Sequence, residues 1–315
     1  MGRLAVVNQA GRDFAHSVAR AKAAERLGFE SVWVTQLPYE RDAAVVLASY
    51  AQGTDRVKLG TGVLPIYTRH PTAMAAMAAS LDELSGGRFI LGIGVSHKLT
   101  VETMWGLRLE KPVQAMREYL TIVRETLRES RSDFTGDYFT AHSVYFGPLR
   151  PDLPVMISAL NPRMLDLAGE LADGIVLYMC TPDYVRDHVV PAVRAGREKA
   201  GKTLDGFEIA AAIPVCLTSN RAAGHDEFRE TVGLYSSLPY YRTMMDASGL
   251  GPELESDRVS ERVLDELAGI GDERRVHEIL ERYRAAGVTL PIAGPFGDHA
   301  GAAGFDATMA AAASA

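Results

Sequence analysis

Three stretches decide the fold: Val57-Lys58-Leu59-Gly60-Thr61-Gly62-Val63, an Ala/Met-rich segment opened by His70-Pro71 and stopped at Ser85-Gly86-Gly87, and Phe89-Ile90-Leu91-Gly92-Ile93-Gly94. The outer two are short β-rich runs and the middle one is long enough for a helix. Parallel strands need a crossover of about a dozen residues or more, so this is how one strand-helix-strand unit must read. The same alternation recurs on both sides. Upstream lie a strand over Leu4 to Asn8, a helix from Asp13 to Leu27 closed by Gly28, a strand over Ser31 to Thr35 and a helix over Ala43 to Gln52. Downstream come a helix near Pro112 to Glu129, a hairpin-like excursion from Phe134 to Phe146, and strands at Pro154 to Ala159, Gly174 to Tyr178 and Phe207 to Leu217. A helix from Glu273 to Ala286 then leads to an eighth strand, Val288 to Ala293.

Eight such units in about 290 residues match an α/β protein of the (β/α)8 TIM-barrel type; a doubly wound sheet is the alternative. The expectation is one barrel domain over residues 1–300 with insertions at its C-terminal mouth, an inserted helical region at about 220–270, and an Ala-rich tail at 301–315 that is frayed or weakly helical.

Composition narrows the function. Lys and Arg number 33 against 40 Asp and Glu, a net charge of −7 with no long basic run, so the electrostatic footprint of a nucleic-acid binder is missing. No apolar run approaches the roughly 20 residues of a membrane span. The two cysteines, Cys180 and Cys216, have no metal-type spacing, and the first twenty residues lack an apolar leader core, so a cytoplasmic protein is expected.

In a barrel the chemistry sits at the C-terminal ends of the strands, here Gln36 to Arg41, Gly62 to His70, Val95 to Trp105, Ser158 to Arg163, Tyr178 to Thr181 and Pro214 to Asn220. Gly92-Ile93-Gly94-Val95-Ser96-His97 starts like a dinucleotide fingerprint but has His97 at the third glycine. Read as a nucleophile elbow it lacks the last glycine. Its glycines let a strand end approach something flat, as a planar cofactor would need. No metal motif occurs, and a lone His70 or His97 is as compatible with capping as with catalysis. Ser158-Ala159-Leu160-Asn161-Pro162 puts a cap and an N1 proline at a helix start, where free N–H groups suit an anion such as phosphate.

Several segments together resemble the bacterial-luciferase-like (luciferase-like monooxygenase) superfamily, specifically its coenzyme F420-dependent oxidoreductase branch: Ala24 to Val34, Leu59-Gly60-Thr61-Gly62-Val63 with His70-Pro71, Leu84 to Gly94, Arg117 to Leu120, the acceptor-side stretch Phe134 to Phe139, and Leu167 to Gly174. The resemblance runs nearly end to end. It implies a barrel holding a deazaflavin at its mouth, an 8-hydroxy-5-deazaflavin (F420) or alternatively FMN, with a cis Gly62-Val63 bond behind the ring. It also implies cofactor contacts at Gln36, Gly62, Val63, Val95, Ser96, His97, Ser158, Ala159, Leu160 and Asn161. His97 stands where the family carries a glutamate and becomes the proton donor or acceptor. Gln36-Leu37 replaces the Asp-His pair of its sugar-phosphate dehydrogenases. Tyr67, Trp105, Tyr178 and Tyr240 are the expected substrate contacts. The implied activity is hydride transfer between the deazaflavin C5 and an activated alkene, imine or carbonyl. Alternatives are an FMN-dependent monooxygenase and a non-catalytic flavin-binding protein. A homodimer and a separate F420 or flavin reductase are the implied partners.

Overall fold

Eight parallel strands close on themselves in the computed structural model, which describes residues 2–8, 13–254 and 259–315. They are β1 (Ala5–Val7), β2 (Ser31–Val34), β3 (Lys58–Thr61), β4 (Phe89–Gly94), β5 (Val155–Ser158), β6 (Gly174–Tyr178), β7 (Glu208–Leu217) and β8 (Leu290–Pro295). Each pairs with its neighbours in order, and β8 pairs with β1 to complete the ring. Around it run α1 (Phe14–Arg26), α2 (Ala43–Gly53), α3 (Pro71–Leu84), α4 (Pro112–Glu129), α5 (Pro162–Leu171) and α6 (Val190–Lys199), followed by α7 (Arg221–Ser236), α8 (Pro239–Ala247), α9 (Glu273–Ala285) and α10 (Phe305–Ala313). The helices start where the sequence supplies caps: Asp13 accepts from the His16 N–H, Asp42 from Ala44 and Val45, and Asp272 from Arg275.

Boundaries differ from the sequence reading in places that packing explains. The excursion before β5 is an antiparallel hairpin that starts earlier than expected, Arg131–Thr135 against Thr140–Val144. Its turn is fixed by buried Glu118 of α4, whose carboxylate accepts from the N–H groups of Asp137, Tyr138 and Phe139. A side chain at Gly136 would sit 2.4 Å from that carboxylate, so the turn needs its glycine. The region expected to be helical at 220–270 holds α7, α8 and two short helices, Gly251–Leu254 and Glu261–Leu267; residues 255–258 lie outside the described residues. It also holds a strand the sequence did not announce. β7 runs past the end of its pairing with β8, and Gly269–Gly271 pairs with its last residues, Val215–Leu217. The Ala-rich tail folds as α10, with Met309 and Ala312 buried and Thr308 Oγ1 accepting from the Leu217 N–H.

Much of the motif-like sequence serves the N-terminal face of the barrel, where conserved-looking chemistry stabilises the fold and does not catalyse. The Glu25 carboxylate accepts from the N–H groups of Asp55, Arg56 and Val57 just before β3. Arg88 donates to the carbonyls of Ala51, Thr54, Val57 and Ser85. Asp173 accepts from the Val155 N–H and from Arg124.

The interior of the ring is filled by Trp33 with Ala5, Met156, Val176, Ala210, Leu290 and Ile292. Trp33 lies so close to β3 that a Cβ at Gly60 would meet its ring at 2.6 Å. Beyond Gly60 the ladder between β3 and β4 is interrupted, and it resumes only at Leu64–Pro65 opposite Ile93 and Gly94. The gap is bridged by one side chain: Thr61 Oγ1 accepts from the Gly92 N–H at 2.7 Å and donates to the Gly92 carbonyl at 2.8 Å. A Cβ at position 92 would lie 2.0 Å from the Thr61 carbonyl oxygen, and one at 94 would lie 2.4 Å from Ser158 Oγ. Gly92 therefore makes room for the neighbouring strand, a correction to the reading that it leaves space for a flat ligand, whereas Gly94 lines the cavity at the strand end. Gly62 and Val63 form the bulge between, and the bond joining them is cis.

Thr61→Val preserves shape but leaves the buried Gly92 N–H and C=O unpartnered. We expect it to lower the unfolding free energy by about 1–3 kcal/mol, measured by urea denaturation. An unchanged midpoint would contradict the bridging role.

Candidate active site

The C-terminal ends of the strands surround a cavity of about 1250 Å³, larger than the roughly 300–1,000 Å³ typical of a pocket for one small ligand. Its floor is the top of the barrel interior: Val7, Val63, Val176 and Ala212 line it and pack on the layer that contains Trp33. Twelve of the fourteen residues expected at the site are in its wall: Gln36, Gly62, Val63, Val95, Ser96, His97, Ser158, Ala159, Leu160, Asn161, Tyr178 and Tyr240.

Tyr67 and Trp105 are not in the wall, a correction to their expected role. Tyr67 follows the bulge, but its hydroxyl is buried, with no hydrogen-bond partner among the described residues. Burial pushes this phenol up to about 12. Trp105 ends a wide helical turn, Leu99–Met104, of which Thr100 reaches the wall and Trp105 does not. The stretch Phe134 to Phe139 forms the clamped hairpin turn and likewise contributes nothing to the wall. His70 is the N-cap of α3. Its Nδ1 lies 2.8 Å from Thr72 Oγ1 and its Nε2 lies 3.1 Å from the Thr140 carbonyl.

Within the wall the residues have different freedom. Gln36 spends its amide locally: Oε1 accepts from the Ala43 N–H at 2.8 Å and Nε2 donates to the Leu37 carbonyl at 3.1 Å. Asn161 occupies the N-cap position of α5 but its side chain makes no capping bond, contrary to the expectation that it caps. Its carbonyl accepts from Met164 and Leu165, whereas the N–H groups of Leu160 and Asn161 find no acceptor among the described residues. Pro162 at N1 removes no bond the helix would have used.

Two cations that sequence reasoning did not single out complete this side. Lys111 stands at the N-cap position of α4, which also has proline at N1, and Arg163 is in the first turn of α5. Both line the cavity, and neither has a carboxylate partner among the described residues. The nearby Arg117 is committed to Glu170 through bonds of 2.7 and 2.6 Å. The legible signal was the repeated pattern of a proline opening a helix just after a polar residue, Lys111-Pro112 and Asn161-Pro162. The side therefore presents two helix N-termini, free N–H groups and two unpaired cations, an arrangement suited to an anion.

Much of the remaining wall is aromatic. His97 follows Ser96, whose φ of 58° is left-handed. The His97 ring lies 5.7 Å from that of Tyr241 and 6.3 Å from that of Tyr235. Burial lowers its pKa, so the imidazole is neutral at pH 7 and can take up a proton. Phe296 and Phe305 close the wall beside Glu227, whose carboxylate accepts from His299 Nδ1 at 2.6 Å and from the Asp298 N–H.

The pKa shift fixes a sign. The unfolded imidazole titrates near ~6.5 and the native one lower, so above that pH the group is neutral in both states and contributes no pH dependence. As pH falls below it, the unfolded chain binds the proton first and the native state loses stability. Wild type should therefore lose more unfolding free energy between about pH 7.5 and 5.5 than His97→Gln does, in paired urea titrations. Parallel losses would contradict the burial of a neutral imidazole.

The luciferase-like monooxygenase family matches residues 2–290 of the chain. A Mycobacterium tuberculosis protein named as a coenzyme F420-dependent oxidoreductase is 32% identical over 312 residues, covering 86% of this chain and 88% of its own. A 5,10-methylenetetrahydromethanopterin reductase from Archaeoglobus fulgidus is 30% identical over 296 residues, covering 87% of each. Among solved structures, the coenzyme F420-dependent tetrahydromethanopterin reductase from Methanopyrus kandleri superposes with a TM-score of 0.82 at 23% identity, over 99% of this chain and 97% of that one. With the closed eight-stranded barrel and its mouth cavity already in view, the chain belongs to the luciferase-like monooxygenase family.

Proposed function

We propose that this protein is a coenzyme F420-dependent oxidoreductase that moves a hydride between the deazaflavin C5 and a small organic substrate, an activated alkene, imine or carbonyl. The observation that carries the reading is that one roomy cavity is lined both by groups suited to an anion, at Leu160, Asn161, Lys111 and Arg163, and by uncharged aromatic residues around His97. The Mycobacterium tuberculosis relative named for coenzyme F420 supports the choice of cofactor.

The residues present fit such a group. Val7, Val63, Val176 and Ala212 offer an apolar floor to a planar ring, and the unpaired N–H groups of Leu160 and Asn161 offer donors to its phosphate. When bound, the deazaflavin supplies a hydride carrier, because carbon in place of the flavin N5 disfavours one-electron chemistry. The chain's own work is to hold the two molecules face to face and to manage one proton. Walls of buried side chains keep water away from the floor. His97, neutral at pH 7, accepts a proton from a substrate hydroxyl in one direction and, once protonated, returns it in the other.

Titrating the cofactor-free protein with F420 and with FMN in parallel tests the cofactor. F420 should bind at least about tenfold more tightly, a difference of about 1.4 kcal/mol; tight FMN binding without F420 binding would overturn the reading. With F420 saturating, His97→Asn should lower kcat by ~10²–10⁴-fold while the F420 Kd stays nearly constant. A normal kcat with weakened F420 binding would make His97 a cofactor contact and not the proton carrier.

A further inference from the structure

Four rings from four separate parts of the chain meet in the cavity wall: His97 beyond β4, Tyr178 at the end of β6, Tyr235 on α7 and Tyr241 on α8. Tyr178 and Tyr235 lie 5.0 Å apart at 78°, and Tyr235 and Tyr241 lie 4.9 Å apart at 88°. All four line the cavity, and among the described residues no hydrogen bond is made by the hydroxyls of Tyr178, Tyr235 or Tyr241 or by the His97 ring. None of these polar atoms is among the sealed-off, unpartnered ones of the described residues; they open onto the cavity, so a ligand that displaces water there must offer them a partner.

From this geometry we infer that the box selects an uncharged, flat, conjugated carbonyl compound, whose oxygen accepts from the tyrosine hydroxyls while its π-system packs on the rings. The inference rests on the oxidoreductase reading for the use of the box as a substrate site. It goes further in naming the substrate class.

Charge placement decides against the other classes. Burial holds the phenols of Tyr178 and Tyr241 above the ordinary range and pushes Tyr235 up to about 12, and it holds His97 neutral. At pH 7 the box therefore carries no charge and offers O–H donors. An anionic substrate group would be desolvated among these rings; the unpaired cations Lys111 and Arg163 stand at the starts of α4 and α5, not on the elements that carry the rings, and Arg117 is taken by Glu170. An ammonium group needs open ring faces and a carboxylate. Glu227 is held by His299 and the Asp298 N–H, and Glu40, which faces Tyr235, is already engaged by the Leu37 N–H and the Thr35 hydroxyl. A neutral carbonyl asks only for a donor and a flat apolar surface, and the box supplies both.

Three probes of one shape separate the possibilities: benzalacetone, uncharged; trans-cinnamate, anionic; and cinnamyltrimethylammonium, cationic. Calorimetric titration of each into the F420-loaded and the cofactor-free protein should show benzalacetone binding at least ~10-fold more tightly than either charged analogue. Tyr235→Phe and Tyr241→Phe should each weaken benzalacetone binding ~3- to 10-fold, the effect of one lost hydrogen bond, with F420 affinity and melting temperature unchanged. A charged analogue binding as well, no benzalacetone binding at millimolar concentration, or unaltered affinity in both Phe variants would overturn the inference. The two readings fail separately: F420 binding without the preference for the neutral probe removes only the substrate class, whereas the preference without F420 binding removes the cofactor and leaves the neutral-carbonyl box.

Discussion

The double hydrogen bond between the Thr61 hydroxyl and the backbone of Gly92 is the contact on which the mouth of the barrel depends. A parallel ladder carries its own backbone bonds only while two strands stay in register. Here β3 leaves register after Gly60 and rejoins at Leu64. One side chain satisfies both groups of Gly92 across that gap, and the absent Cβ at 92 lets the strands come close enough for it to reach. The bulge this permits sets Val63 on the cavity floor beside Val7, Val176 and Ala212, above the layer packed on Trp33. Backbone satisfaction at a barrel strand thus becomes the shape of a binding surface.

The fold was legible because its signal is repeated. Eight alternations, each ended by glycines or capped by Asp, His or Asn, point to one architecture, and their consistency outweighs boundary errors of a few residues. The site was legible only where it is local in sequence. Residues immediately after strands, such as Val95 to His97 and Ser158 to Asn161, fall at the mouth because the barrel puts strand ends there. Tyr67 and Trp105 follow strand ends by the same rule but are not in the wall: the Tyr67 phenol faces Tyr138 and the wall residue Tyr240, and Trp105 ends the wide turn at Leu99–Met104. Tyr235 and Tyr241 belong to the aromatic inserted region that the sequence places over the mouth, and both stand in the wall; how α7 and α8 bring them together there is a tertiary fact with no local signature. The extra strand Gly269–Gly271 escaped for the same reason, since three residues with two glycines carry no strand periodicity.

A net charge of −7 does not argue against the proposed anionic cofactor. Net charge governs long-range steering, whereas two helix N-termini with unpaired N–H groups and two local cations set the potential where a phosphate would rest. Among the aromatic residues of the same wall, burial removes charge from His97 and keeps the phenols protonated. One cavity then offers two solvents, one polar and cationic and one aromatic and neutral. A molecule with an anionic tail and a flat head is oriented by that difference alone.

The most direct measurement is a crystal structure of the protein with F420 bound. The account predicts phosphate density at the N-terminus of α5, within hydrogen-bonding distance of the Leu160 and Asn161 N–H groups, with the ring over Val63 and its reactive carbon turned toward His97. Phosphate at the end of β8, or a ring that leaves Val63 exposed and lies away from His97, would contradict it.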